Sequence, residues 1–244
     1  MKVFIKVAIV ALLGVNSLFA AHLEVLAAAN LRYVLQDVKS AFLKDHPNDS
    51  MDITLDASGR LYAKVTQGLK ADLFISADES FPEKLYKANL ATKPVVYTQG
   101  ILVLWSDGDM KVTSLEDMLK AKNIALPNPQ TAPYGRAALE ALQNSGLYNE
   151  VKSKIATALS ISQANQFVIS RNAQIGFNAL SMVRSQKNAS ILVVDSKLYS
   201  PIKQAMSILN SSEHKTLAKE FYDFILSPKG QKIFSEYGYK ELKH

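Results

Sequence analysis

Residues 51–79, MDITLDASGRLYAKVTQGLKADLFISADE, read as strand, small-residue turn, helix, strand and turn. Ile53 and Leu55 alternate with polar neighbours and lead into Asp56-Ala57-Ser58-Gly59. Leu61, Tyr62, Val65 and Leu69 then recur at helical spacing, and Asp72 to Asp78 forms a short apolar run with polar ends, the pattern of a buried parallel strand. A strand that ends in Ser-Gly before a helix leaves the first helical N–H groups unpaired and places only small side chains in front of them. Such a junction suits an anion.

The same grammar recurs along the chain. Leu23 to Ala28 is a short apolar strand, Ala29-Asn30 stands at its carboxyl end, and Leu31, Val34, Leu35, Val38 and Phe42 mark a helix that stops before His46-Pro47. Phe81-Pro82 to Leu90 predicts another helix, with Asp78 as N-cap and Pro82 in the first turn. Val95 to Trp105 is β-rich and interrupted at Gln99-Gly100. Asn123 to Leu126 predicts a strand that opens into the turn-rich segment Pro127 to Arg136, followed by a helix from Ala137 to Leu142. Ala158 to Ser162 forms a fourth junction before a helix at Gln163 to Ile169. Strands are further expected at Ile175–Phe177, Ile191–Val194 and Ile202–Ile208, and paired helices from Glu213 to Leu226 and Pro228 to Tyr237. Strands alternating with helices imply an α/β fold with a mostly parallel sheet.

Composition narrows the function. At 244 residues and 48% hydrophobic, the chain can bury the core of one large or two modest domains. The formal charge of +6 includes Lys2 and Lys6, and the remaining lysines are spread beside carboxylates rather than interleaved with aromatics, so nucleic acid is not an expected partner. The absence of cysteine removes disulfides, thiolate catalysis and Cys-ligated metals. The start, MKVFIKVAIVALLGVNSLFAAHLEV, has lysines, an apolar run from Val7 to Val15 and small residues at Ala20-Ala21. It reads as a signal peptide over residues 1–20, cleaved near Ala20, because the apolar run is shorter than the roughly 20 residues of a spanning helix. A periplasmic protein is the expected product.

The segment ASGRLYAKVTQGLKADLFISAD, residues 57–78, resembles the xSSGxLxxQIxxGxPADLFISAD pattern of the periplasmic molybdate-binding proteins of ABC transporters. The similarity extends in order and spacing from Leu23 to Tyr239. It implies a type II periplasmic binding protein: two Rossmann-like lobes joined by a two-stranded hinge. Lobe one would take residues 23–98 with 201–244, and lobe two residues 99–200. It also implies a monomer that captures molybdate or tungstate, needs no cofactor and delivers its anion to a membrane permease. Alternatives are another oxyanion such as sulfate and, further off, an α/β hydrolase.

Four small-residue junctions would then face one cleft outside the carboxyl ends of the strands. By the resemblance, Ser58 matches the family serine, Asn30 stands where many relatives have serine, Ile161 matches a valine that offers its backbone N–H, and Ala29 could add another. Tyr134 occupies the position before the turn glycine, where it binds either through its side-chain hydroxyl or through its backbone while the ring merely packs. Read without the family, Asn30 and Ser58 are helix caps. Arg60 and Arg136 each follow a glycine into a helix and are expected to face solvent. Ala179 stands where many members place a tyrosine and donates nothing from its side chain. No G-x-S-x-G, G-x-x-x-x-G-K-[ST] or H-E-x-x-H motif is present, and the four histidines are scattered in sequence.

Overall fold

The computed structural model describes residues 20–108 and 110–240, so the expected signal peptide lies outside the described residues. The first sheet has the order β2-β1-β3-β10-β4, built from β1 (His22–Ala28), β2 (Ser50–Asp56), β3 (Leu73–Ile75), β4 (Val95–Gly100) and β10 (Ile202–Ile208). The second has the order β7-β6-β8-β5-β9, built from β5 (Leu102–Ser106), β6 (Ile124–Pro127), β7 (Ile155–Ala158), β8 (Ile175–Ala179) and β9 (Ser190–Val193). In each sheet three parallel strands, β1 to β3 or β6 to β8, are joined by a fourth, β10 or β5, that runs antiparallel to both its neighbours. Each sheet therefore reverses its strand order beside β1 or β6, the kind of switch point where α/β sheets bind ligands.

The chain crosses between sheets twice, at Ile101 and again between β9 and β10. These two passages form the hinge of the two Rossmann-like lobes. The break in the run from Val95 to Trp105 falls at Ile101 rather than at Gln99-Gly100, because β4 continues until Gly100 pairs with Ile202.

Both faces of the first sheet are covered, which is why β1 is apolar at consecutive positions. Leu23, Val25 and Ala27 pack into the core shared with α1 (Val34–Leu43), α8 (Lys215–Leu226) and α9 (Pro228–Glu236), where Phe42, Phe221 and Phe234 are buried. Leu26 and Phe74 face the other way, onto Leu61 and Val65 of α2 (Ser58–Thr66) and Phe81 and Leu85 of α3 (Ser80–Lys87). The second sheet is built around β5, where Leu102, Val103, Leu104 and Trp105 have no exposed surface. It packs with α4 (Pro133–Asn144), α5 (Tyr148–Val151), α6 (Ile161–Ile169) and α7 (Leu180–Val183).

Helix α2 is shorter than its apolar spacing suggests. It stops at Thr66, and Leu69 is 42% exposed. The cause is Gly68, whose φ of 97° lets Gly68 N donate to Val65 O and Leu69 N to Lys64 O, both at 3.0 Å. That pair of bonds closes the last carbonyls in a Schellman motif. Conversely, α4 and α6 begin earlier than expected. Proline is compatible with the first helical turn, so α4 starts at Pro133, and Ser160 caps α6 by accepting from Gln163 N at 3.2 Å.

Candidate functional site

All five residues singled out from the sequence, Ala29, Asn30, Ser58, Tyr134 and Ile161, line one small cavity between the sheets. They arrive from four separate junctions, after β1, β2, β6 and β7. The cavity wall also includes Ala57, Ala77, Ala132 and Pro133, which sequence reasoning did not single out. Their signal was present: Ala57 and Ala77 are small residues just after β2 and β3, the latter a fifth junction, and Ala132 and Pro133 open α4 within the turn-rich segment. Among the described residues, no charged side chain lines the cavity.

The N–H groups of Ser58, Tyr134 and Ile161 belong to the first turns of α2, α4 and α6, where no intrahelical carbonyl can satisfy them. Ser58 is the first residue of α2, not its cap, and is fully buried. Its Oγ accepts from Ala77 N at 3.0 Å, which fixes the side chain and leaves the hydroxyl proton to be donated. Three helix N-termini and a buried hydroxyl thus supply donors to a space bounded by methyl groups. The arrangement can hold a compact anion by hydrogen bonds alone.

Asn30 is not a cap either. It sits in a 3-10 turn, Ala29–Leu31, and its Nδ2 donates to Gln204 Oε1 and to Tyr239 Oη, each at 3.0 Å. Its Oδ1 is buried with no hydrogen-bond partner. The Asn30 carbonyl accepts from Tyr239 Oη at 2.9 Å and from Ser181 Oγ at 3.1 Å.

Tyr134 is buried, with its ring against the hinge strand. Its ring packs against the hinge strand so closely that a Cβ on Gly100 would meet Tyr134 Oη at 2.0 Å. The hydroxyl accepts from Gln204 Nε2 at 3.0 Å and keeps its own proton, while the backbone N–H stands in the first turn of α4 without an intrahelical acceptor. Burial, reinforced by the neighbouring phenols, pushes the Tyr97 and Tyr134 hydroxyls well above the usual phenol range, and burial does the same to Tyr239. All three therefore stay protonated and neutral around the site.

The expectation for Arg136 is corrected. Arg136 does not merely face solvent: Nη2 reaches across to Asp78 Oδ2 at 2.6 Å, beside Pro133 at the rim of the cleft. Asp78 holds that position because its other oxygen accepts from Ser76 Oγ at 2.9 Å and from Phe81 N at 3.3 Å; it bonds the first turn of α3 from one residue before the N-cap, which is Glu79 and not Asp78 as expected. Of the scattered histidines, His22 has Nε2 3.2 Å from Glu24 and 3.4 Å from Asp52. That exposed group stands at the start of β1, the end of the sheet opposite the cavity. Arg60, by contrast, stays on its own lobe, pairing with Asp56 at the end of β2 at 3.1 Å. Ala179 lies at the N-terminus of α7 and its N–H donates to Asn178 Oδ1.

The lobes meet across the cavity through backbone as well as side chains. Gly59 N donates to Thr131 O at 2.9 Å, and a Cβ on Gly59 would come within 2.9 Å of Thr131 Cα. Glycine is required there by the approach of the opposite lobe.

Comparison with known proteins agrees with this geometry. The family model of the bacterial extracellular solute-binding proteins matches residues 23–240. The molybdate-binding protein ModA of Rhodobacter capsulatus is 34% identical over 90% of this chain and 89% of its own length. ModA of Azotobacter vinelandii is 35% identical over 90% of each. The solved Azotobacter vinelandii periplasmic molybdate-binding protein superposes with a TM-score of 0.86 at 31% identity, covering 91% of this chain and all of that one. Among the described residues no helix is long and apolar enough to cross a membrane. The chain belongs to the family of bacterial extracellular solute-binding proteins, with ModA proteins among its relatives, and its work is therefore binding for transport rather than catalysis.

Proposed function

We propose that this protein captures molybdate, and tungstate with it, in the cavity between its lobes and delivers the anion to an ABC permease. The observation that carries the reading is the convergence of Ser58, Asn30, Tyr134 and Ile161 on a cavity with no charged side chain. A tetrahedral dianion offers acceptors only, and it is matched by neutral donors from helix N-termini and a buried serine. Hydrogen bonds to a charged group contribute about 1.5–3 kcal/mol each, so several preorganised donors offset the loss of hydration. Ala29 adds a backbone N–H at the same wall. The relatives named for molybdate select this anion from among the oxyanions. We further propose export to the periplasm with cleavage near Ala20, and action as a monomer whose closed surface the permease recognises.

The test is a thermal-shift and calorimetric series with molybdate, tungstate, sulfate and phosphate on the mature protein. Ligand at 100-fold above its dissociation constant adds about 2.7 kcal/mol, which for a chain of this size raises the midpoint by roughly 5–11 °C. Molybdate and tungstate are expected to do so. Sulfate is expected to do little, since a cage sized for a larger ion leaves its shorter bonds unsatisfied. Equal shifts with sulfate and molybdate would make this a general sulfate-type binder.

A further inference from the structure

We infer that Gln204, on the hinge strand β10, is a positioning residue that sets which end of the Asn30 carboxamide faces the anion, and thereby links occupancy to the contact between lobes. The inference rests on the anion-binding reading above. It starts from a mismatch: Asn30 lines the cavity, yet the polar atom it leaves without a partner is Oδ1, an acceptor. An anion cannot satisfy it. Its Nδ2, the donor an anion needs, is spent on Gln204 Oε1 and Tyr239 Oη.

Gln204 is fully buried and stands where the register of β10 against β4 shifts, between Gln204 and Ala205. A bulge re-aims a side chain, and here it directs the carboxamide between the lobes. Oε1 accepts from Asn30 Nδ2 and, at 2.9 Å, from Tyr97 Oη, while Nε2 donates to Tyr134 Oη on the other lobe. Tyr97 Oη is also 3.0 Å from the Ser76 carbonyl, so its single proton has two acceptors within reach.

These contacts can run in the opposite sense with the number of bonds unchanged. If both carboxamides rotate by half a turn, Gln204 Nε2 donates to Asn30 Oδ1 and to Tyr97 Oη, and Tyr97 gives its proton to Ser76 O. Gln204 Oε1 then accepts from Tyr134, whose hydroxyl is protonated because burial holds it so. Ser181 keeps the Asn30 carbonyl satisfied, which frees the Tyr239 proton for Asn30 Oδ1. The one change at the cavity is that Asn30 Nδ2 now stands where Oδ1 stood. An oxyanion selects this second sense, and the bond between Gln204 and Tyr134, which spans the lobes, reverses with it.

The experiment is a double-mutant cycle on molybdate affinity with Asn30→Ala and Gln204→Met. A residue that acts through Asn30 loses that part of its effect once Asn30 is gone. Gln204→Met alone is expected to weaken binding about tenfold or more, and the double variant to fall clearly short of the sum of the two single losses, keeping only the share that comes from the bond to Tyr134. Additive losses, or no loss in Gln204→Met, would overturn the inference. A second readout needs no variant to bind: in 15N-labelled wild-type protein, the side-chain NH2 signals of Asn30 and Gln204 are expected to shift together on molybdate addition. Molybdate binding with the Gln204 signals unmoved would refute the coupling and leave the anion site standing, whereas absence of any oxyanion binding by the wild-type protein would remove both.

Discussion

Ser58 shows how much one side chain can be asked to do. Its Oγ satisfies the buried Ala77 N–H and its proton is left for the anion, so Ser58→Ala removes two interactions at once. Binding is expected to weaken by one to two orders of magnitude, from about 1.5–3 kcal/mol for a hydrogen bond to a charge, and the ligand-free protein to lose about 1–3 kcal/mol because Ala77 N–H is left buried without a partner. Calorimetry and urea unfolding of the same variant measure the two effects separately; an unchanged dissociation constant would take Ser58 out of the site. Gly59 next to it separates affinity from stability in the other direction. Its missing Cβ is the space that Thr131 of the opposite lobe and Phe81 occupy. Gly59→Ala is expected to hold the lobes apart and weaken molybdate binding by more than about tenfold, the loss of interlobe hydrogen bonding being of that order. Its helix gains the better helix former. Small-angle scattering with saturating molybdate checks this, since the variant should stay more extended than the wild type.

At the scale of elements, the ends rather than the cores decided what could be foreseen. The strands β1, β2 and β6 and the helices around Val34, Leu61 and Leu217 follow from apolar spacing alone, because burial on one or both faces writes itself into the sequence. The early stop of α2 does not, since Tyr62, Val65 and Leu69 continue the helical period past Gly68. A backbone with positive φ ends that helix, and Gly68 has nothing within 4 Å of a Cβ, so conformation is its only requirement. Gly68→Ala is expected to cost about 1–2 kcal/mol of stability through the left-handed conformation alone. Anion affinity should stay unchanged because the turn lies at the far end of α2 from Ser58. A loss of affinity in this variant would mean that the position of α2 depends on its C-terminus. Asn30 and Tyr134 mark the other limit of the sequence. Their junctions were legible as small-residue strand ends, but their partners, Gln204 and Tyr239, lie 174 and 209 residues from Asn30, and no local pattern connects them.

Across the whole molecule, the α/β class was legible from the repeated strand-junction-helix grammar and the two-lobe plan only through the family resemblance, whereas the contacts that hold the lobes together were not legible at all. Arg136 is the instructive case, because a half-exposed arginine in the first turn of a helix reads as a solvated one. In the structure its guanidinium meets Asp78, which is nearly buried, across the mouth of the cleft, 2.6 Å apart. This pair connects the lobes only when they are together, so it adds to binding by favouring closure and not by touching the anion. With Arg136 half in solvent, screening limits the contribution to about 1 kcal/mol or less. Arg136→Gln is accordingly expected to raise the molybdate dissociation constant by up to about fivefold, mainly through faster release, since affinity changes within one site are carried mostly by the off-rate. Because the pair is electrostatic, the gap between wild type and variant should narrow as ionic strength rises and the Debye length falls from about 10 Å at 0.1 M to about 3 Å at 1 M. Stopped-flow release measured at both salt concentrations decides the matter. A gap that persists unchanged at 1 M would assign the effect of Arg136 to packing at the rim, and a change in the on-rate alone would make it a steering charge rather than a latch.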